Sequence, residues 1–206
     1  MELSVKRTVV AVVAVLGALL AAAWYGLPTL LKPPLLAANR ATAGLNEKTV
    51  SAAQHTIHYL DSGQRGGEGV PVLLLHGIFA EKDHWVDFAR ALPGSYRIVA
   101  PDLPGFGESG RHDGQAYDYD AQVRRLLAFM DALGIAQAHL AGSSMGGTIA
   151  ALLAIQHPGR VQSVAFIGSP HGIRSPRASQ MDRQIDAGRA PLVARDEGEF
   201  DTMMKL

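Results

Sequence analysis

The stretch Ala138-His139-Leu140-Ala141-Gly142-Ser143-Ser144-Met145-Gly146-Gly147-Thr148 decides the fold. An apolar, strand-like run ends at Ala141, and a helix-like run begins beyond Thr148 and continues to Ile155. Between them stands Gly-x-Ser-x-Gly. A turn this tight between strand and helix forces its central residue into a strained backbone conformation, which only small neighbours tolerate; Gly142 and Gly146 supply them. The Ser144 hydroxyl is thereby lifted clear of a sheet edge. The unpaired N–H groups of the helix's first turn point at the same place. The competing reading is an ordinary Gly/Ser-rich loop, and the pattern alone does not separate the two.

Working outward, the neighbours favour the catalytic reading. Val70 to Leu75 is a continuous apolar run, as expected of a strand buried on both faces of a parallel sheet. Glu81 to Leu92 carries Trp85, Phe88, Ala89 and Leu92 at helical spacing, and Arg97 to Ala100 is another short buried strand. Tyr119 to Leu133 reads as an amphipathic helix closed by Gly134. Val123, Leu126, Leu127, Met130 and Leu133 lie on one face, with Arg124, Arg125 and Asp131 on the other. Met145 to Gln156 is the next helix, ended by His157-Pro158-Gly159, and Val161 to Ile167 the next strand. Lys48 to Ala53 and His55 to Leu60 alternate loosely, and Asp61-Ser62-Gly63 with Gly66-Gly67 marks a turn. Strand alternates with helix throughout, so the fold class is α/β, with a mostly parallel sheet and right-handed crossovers.

Ligands bind at the C-terminal ends of such strands, where three loops gather. One is the Ser144 turn. Another is His76-Gly77-Ile78-Phe79. Acyl transfer needs two backbone N–H donors for the oxyanion of its tetrahedral intermediate; Met145, following the nucleophile, supplies one and Ile78 the other. Gly77 allows close approach. His76 reads as a brace for its loop in preference to a catalytic base. The third loop, Asp102-Leu103-Pro104-Gly105-Phe106-Gly107-Glu108-Ser109, reads as structural support in preference to chemistry, with Asp102 a weak candidate for a triad acid.

The chain has 206 residues, 48% of them apolar, and zero formal net charge. The neutral balance and scattered cations give no electrostatic case for nucleic acid. There is no cysteine, hence no disulfide framework or thiolate metal site. The histidines lack ligand partners at metal-binding spacing, so no metal is expected. Gly105-x-Gly107 lacks a third glycine, and no nucleotide cofactor is expected. Lys6 and Arg7 precede an apolar run from Thr8 to Leu31, long enough to cross a bilayer at roughly 20 residues. Trp24 and Tyr25 suit an interfacial aromatic belt. An uncleaved anchor is favoured; a signal peptide cut near Ala21-Ala22-Ala23 is the alternative. Pro33-Pro34 ends the apolar stretch, and Leu35 to Glu47 reads as a short linker or peripheral helix.

On the segments Leu73 to Gly77, Ala80 to Trp85, Ala100 to Ser109 and Gly142 to Gly147, the chain resembles the α/β-hydrolase superfamily. Within it, the likeness is to membrane-anchored monoacylglycerol lipase and esterase-type serine hydrolases. Epoxide hydrolases and dehalogenases share the scaffold but carry Asp where Ser144 stands. The resemblance implies a lipid-like carboxylic ester substrate, Ser144 as nucleophile, and a triad in chain order serine, acid, histidine. It places acid and base beyond the cap, and neither has a counterpart here: His171 reads as a loop residue, His139 faces the wrong sheet edge, and His157 is a surface residue. The chain thus reads as C-terminally truncated and weakly active or inactive, with a non-catalytic, membrane-anchored binding module as the alternative. Four parts are expected: residues 1–34 as anchor with flanks, 35–48 as linker, 49–170 as hydrolase core and 171–206 as the start of a cap. The domain is expected on the non-cytoplasmic side. An unpaired, apolar sheet edge beside Val161 to Ile167 would invite self-association.

Overall fold

The computed structural model describes residues 2–64, 69–169, 177–189 and 196–203. His171 and Gly66-Gly67 lie outside them. Two compact units divide at Ser169/Pro170.

The first unit begins with helix α1 (Glu2–Thr42). Its apolar stretch makes it a candidate membrane span, within Val13–Thr42. Pro33-Pro34, expected to end the apolar stretch, lies with Pro28 inside α1. Proline removes a helical N–H, but the turns beyond it are held independently. The Arg40 guanidinium forks onto Asp83 with two bonds of 2.6 Å, and Arg90 donates to Asn39 Oδ1 at 2.7 Å. Ala43 and Leu45 are buried against Leu74, Trp85 and Val86. Gly44, at φ 62°, closes the helix. The stretch from Leu35, read as a short linker or peripheral helix, is helical as far as Thr42.

A six-stranded sheet follows, in the order β1-β2-β4-β3-β5-β6. Its strands are β1 (Asn46–Ala52), β2 (His55–Asp61), β3 (Val72–Leu75), β4 (Ile98–Pro101), β5 (Ala138–Ser143) and β6 (Val161–Ile167). β1 and β2 form an antiparallel hairpin, and β2 joins β4 antiparallel. The two-residue turn Ala53-Gln54 has φ of 48° and 64°, the primed type that suits strand twist. Neither residue is glycine, so spacing alone did not announce this turn. β4, β3, β5 and β6 are mutually parallel. Leu73, Leu74 and Leu75 of β3 are fully buried, as a central strand requires.

Helices pack on the sheet: α2 (Val86–Ala91), preceded by a 3₁₀ turn Lys82–Trp85; α3 (Tyr119–Ala132); and α4 (Met145–Gln156). Asp118 caps α3 by accepting from the Ala121 N–H at 2.8 Å. Val123, Leu126, Phe129 and Met130 of α3 pack with Leu73, Leu75, Leu140, Ile149 and Leu153 in the main core. One placement is corrected here: Arg125, expected on the polar face, is buried. Its guanidinium lies 4.5 Å from the centre of the Tyr117 ring and donates to Gln115 Oε1 at 2.9 Å, so the charge is stacked and hydrogen-bonded rather than solvated.

β6 borders the sheet among the described residues, with Phe166 and Ile167 exposed. In the second unit α5 (Gln180–Asp186) starts with a capping box between Ser179 and Asp182, and α6 (Glu197–Met203) follows.

Candidate active site

Ser144 sits where β5 turns into α4, at φ 49° and ψ −115°. It is one of a few non-glycine residues with positive φ, a strained state that persists only where neighbours over-determine it. The glycines show how. A methyl group on Gly142 would lie 2.4 Å from the Gly146 carbonyl oxygen, and one on Gly146 would lie 2.1 Å from that of Leu75. Main chain thus packs on main chain around the turn. The Ser144 N–H donates to the Ile167 carbonyl at 3.2 Å, tying the turn to β6.

Gly77 brings the second loop to the same place. A Cβ added there would stand 3.1 Å from Ser144 Cβ and 3.3 Å from the Ser143 carbonyl oxygen. Ile78 follows directly, 39% exposed. Neither the Ile78 nor the Met145 N–H has an acceptor among the described residues. Ser144, Met145, Gly142, Gly146, Gly77 and Ile78 therefore converge at one end of the parallel strands.

His76 is buried, with both ring nitrogens engaged. Nε2 accepts from the Leu103 N–H at 3.0 Å and Nδ1 donates to the Gly77 carbonyl at 2.8 Å. That pattern selects the neutral ring with its proton on Nδ1. Burial also pushes the ring's pKa below the ordinary histidine value. It braces the loop and has no nitrogen left for the serine.

Asp102 is fully buried and belongs to an ion cluster. Oδ1 accepts from the Lys82 N–H at 2.7 Å, and Oδ2 accepts from Lys82 Nζ at 2.9 Å and from the Glu108 N–H at 3.0 Å. The buried Lys82 ammonium also pairs with Glu108 and, at 3.3 Å, with Glu47. Glu47, His58 and Glu108 bring three potential metal donors within 4.8 Å of one another, but the cation those carboxylates face is Lys82.

Two residues here escaped the sequence reading. Ser169 Oγ donates to the carbonyls of Ser144 at 3.0 Å and Gly142 at 3.2 Å, and lies where a side chain on Gly147 would be; nothing in its local pattern marks it. Lys82 reads as a surface charge in Glu81-Lys82-Asp83. The available signal was Asp102 itself, a carboxylate beside an apolar strand that needs a buried cation. His139 Nδ1 pairs with Ser163 Oγ at 2.8 Å, and His157 caps α4 in an exposed position. Among the described residues no histidine is hydrogen-bonded to the Ser144 side chain.

Comparison with known proteins agrees with this fold. Monoacylglycerol lipase abhd6-B of Xenopus laevis is 32% identical over 176 residues, covering 81% of this chain and 52% of that protein. The crystal structure of a membrane phospholipase A, described as a bacterial virulence factor, gives a TM-score of 0.76 at 39% identity, over 97% of this chain and 63% of that one. A meta-cleavage product hydrolase from Pseudomonas fluorescens gives 0.54 at 34% identity, over 59% and 44%. The chain spans about half the length of the curated relatives it matches. Residues 70–203, well over half of the chain, match the alpha/beta hydrolase fold family. A serine held in strain between a parallel strand and its helix is thus found within a matched sequence and a matched architecture, and the protein belongs to that family.

Proposed function

We propose that this chain carries the nucleophile half of a serine hydrolase acting on lipid-like carboxylic esters. The observation that carries the reading is Ser144 at φ 49° on the β5–α4 turn, beside the Gly77-Ile78 loop. The Ser144 oxygen would attack the ester carbonyl carbon. The N–H groups of Ile78 and Met145 would hold the resulting oxyanion, the alcohol would leave with a proton, and water would then hydrolyse the acyl-serine. The relatives named as lipases support an ester substrate, and α1 supports delivery from a bilayer.

The serine also needs a base and a carboxylate to orient it. The described residues bring no histidine to Ser144. That leaves room for a second reading, a membrane-anchored binding module on the same scaffold. An oxyanion hole and binding alone retain roughly 10³–10⁴-fold acceleration over water. In either case residues 1–34 would form the anchor, or a cleaved signal, 171–206 would be the start of a cap segment, and the core would lie on the non-cytoplasmic side. The β6 edge would offer a site for self-association.

A fluorophosphonate probe tests the reading: an oxygen–phosphorus bond forms at an activated serine as fluoride leaves. Labelling of the chain that disappears in Ser144→Ala would support the hydrolase. Labelling only after the chain is extended by the C-terminal segment of a similar lipase would support a hydrolase whose base lies in that segment. Failure of both forms to label would favour the binding module.

A further inference from the structure

We propose that Lys82 is a positioning residue for the loop that carries Ile78. The inference rests on the reading of Ser144 and Ile78 given above. The segment from Gly77 to Glu81 leaves the sheet after β3 and is clamped at both ends onto one other loop, the turn after β4. At its start, His76 Nε2 receives the Leu103 N–H at 3.0 Å, and the His76 ring meets the Phe106 ring edge-on at 5.5 Å. At its end, Asp102 holds Lys82 twice, by the backbone N–H at 2.7 Å and by Nζ at 2.9 Å.

Asp102 is fixed in turn. Its own N–H donates to the His58 carbonyl at 2.8 Å, its carbonyl accepts from Ser109 Oγ at 2.7 Å, and Gly107 leaves no room for a side chain, since a Cβ there would stand 2.4 Å from the carboxylate. The carboxylate is a rigid post. Lys82 is the group moored to it.

Between the clamps the loop is under strain. Phe79 has φ 59° and is 69% exposed, so its own side-chain packing does not hold that conformation. A bulky residue keeps a positive φ only where the surrounding chain leaves no alternative. The double attachment of Lys82 supplies that constraint on the C-terminal side, as His76 does on the N-terminal side. The ammonium is 1% exposed, too deep to reach a reacting atom, and Glu108 and Glu47 complete its partners. Burial lowers the Lys82 pKa, but hydrogen bonds to Glu108 and Asp102 outweigh it and hold the pKa above the ordinary lysine value. Released from Asp102, the segment would relax at Phe79 and turn the Ile78 N–H away from Ser144.

The test uses the full chain in detergent, comparing the parent with Lys82→Met and with Lys82→Met/Asp102→Asn, which removes both buried charges together. Amide exchange is followed by mass spectrometry in the 75–85 segment and, as reference, in 119–132. The limiting rate of fluorophosphonate labelling and its half-saturation concentration are measured on the same samples. In the double variant we expect exchange in 75–85 to rise at least tenfold with 119–132 unchanged. The limiting labelling rate should fall at least tenfold, with half-saturation unmoved. Unaltered exchange in 75–85, a uniform rise through both segments, or a parental labelling rate would overturn the proposal. If neither variant folds, Glu108→Gln decides by the same exchange comparison, with a smaller amplitude expected. A parent that never labels at Ser144 refutes the nucleophile reading, and the exchange measurement still decides whether Lys82 orders the loop.

Discussion

The turn that carries Ser144 and the loop that carries Ile78 meet at Gly77, yet they are held by opposite means. The first is built from main chain pressed on main chain: Gly142 against Gly146, Gly146 against the Leu75 and His76 carbonyls. The second is tethered by side chains, through buried His76, Lys82 and Asp102. Backbone packing tolerates no added atom but needs no charge. The tether accepts changes of volume and fails when a charge loses its partner. The serine's position is therefore a property of shape, and the Ile78 loop's a property of electrostatics.

The comparison breaks most sharply at the tether. Lys82→Met leaves the Asp102 carboxylate buried and unpaired, and should cost about 3–5 kcal/mol of stability in urea denaturation. Adding Asp102→Asn should recover most of that loss; a double variant as unstable as the single would show that charge is not what the pair contributes. On the other side, Gly146→Ala places a methyl 2.1 Å from a carbonyl oxygen. We expect a cost of about 1–3 kcal/mol together with the loss of Ser144 labelling, because β3 and α4 must part.

Acid should act on the tether before the turn. His76 has its pKa lowered by burial, so the folded protein prefers it neutral while the unfolded chain takes up a proton below the ordinary histidine value. Stability is then fully present above that value and declines as pH falls through the folded one. The slope is at most about 1.4 kcal/mol per pH unit for one site. Urea midpoints at neutral and mildly acidic pH would measure it, and His76→Gln should flatten that region. The smallest effect has the opposite sign. Ser144→Gly removes strain at φ 49° and should raise stability by about 1 kcal/mol while abolishing labelling. A loss of stability would mean that the Ser144 side chain holds the turn, contrary to the glycine contacts.

Much of the parallel core was legible because each signal is local. α4 spans Met145–Gln156 and β6 spans Val161–Ile167, as expected, with His157-Pro158 between them, and α3 is closed by the expected Gly134. The errors lie where distant partners override local preference. Pro33-Pro34 reads as a boundary between the apolar stretch and a separate linker or helix, but α1 runs through it unbroken to Thr42, where Arg40 reaches Asp83 across 43 positions of sequence. Arg125 reads as solvent-facing until Tyr117 and Gln115 cover it. Ser169 and Lys82 carry no local mark at all.

By itself the sequence determined the class of fold, the apolar N-terminal helix and the serine at a strand-to-helix turn. These follow from periodicity, and from the steric fact that a small set of residues fits so tight a reversal. Only the tertiary structure decided which lysine neutralises Asp102, which groups occupy the two His76 nitrogens, and that Arg125 is stacked under cover. Pairings of that kind depend on where the sheet brings separate strand ends together, and burial then makes each of them obligatory.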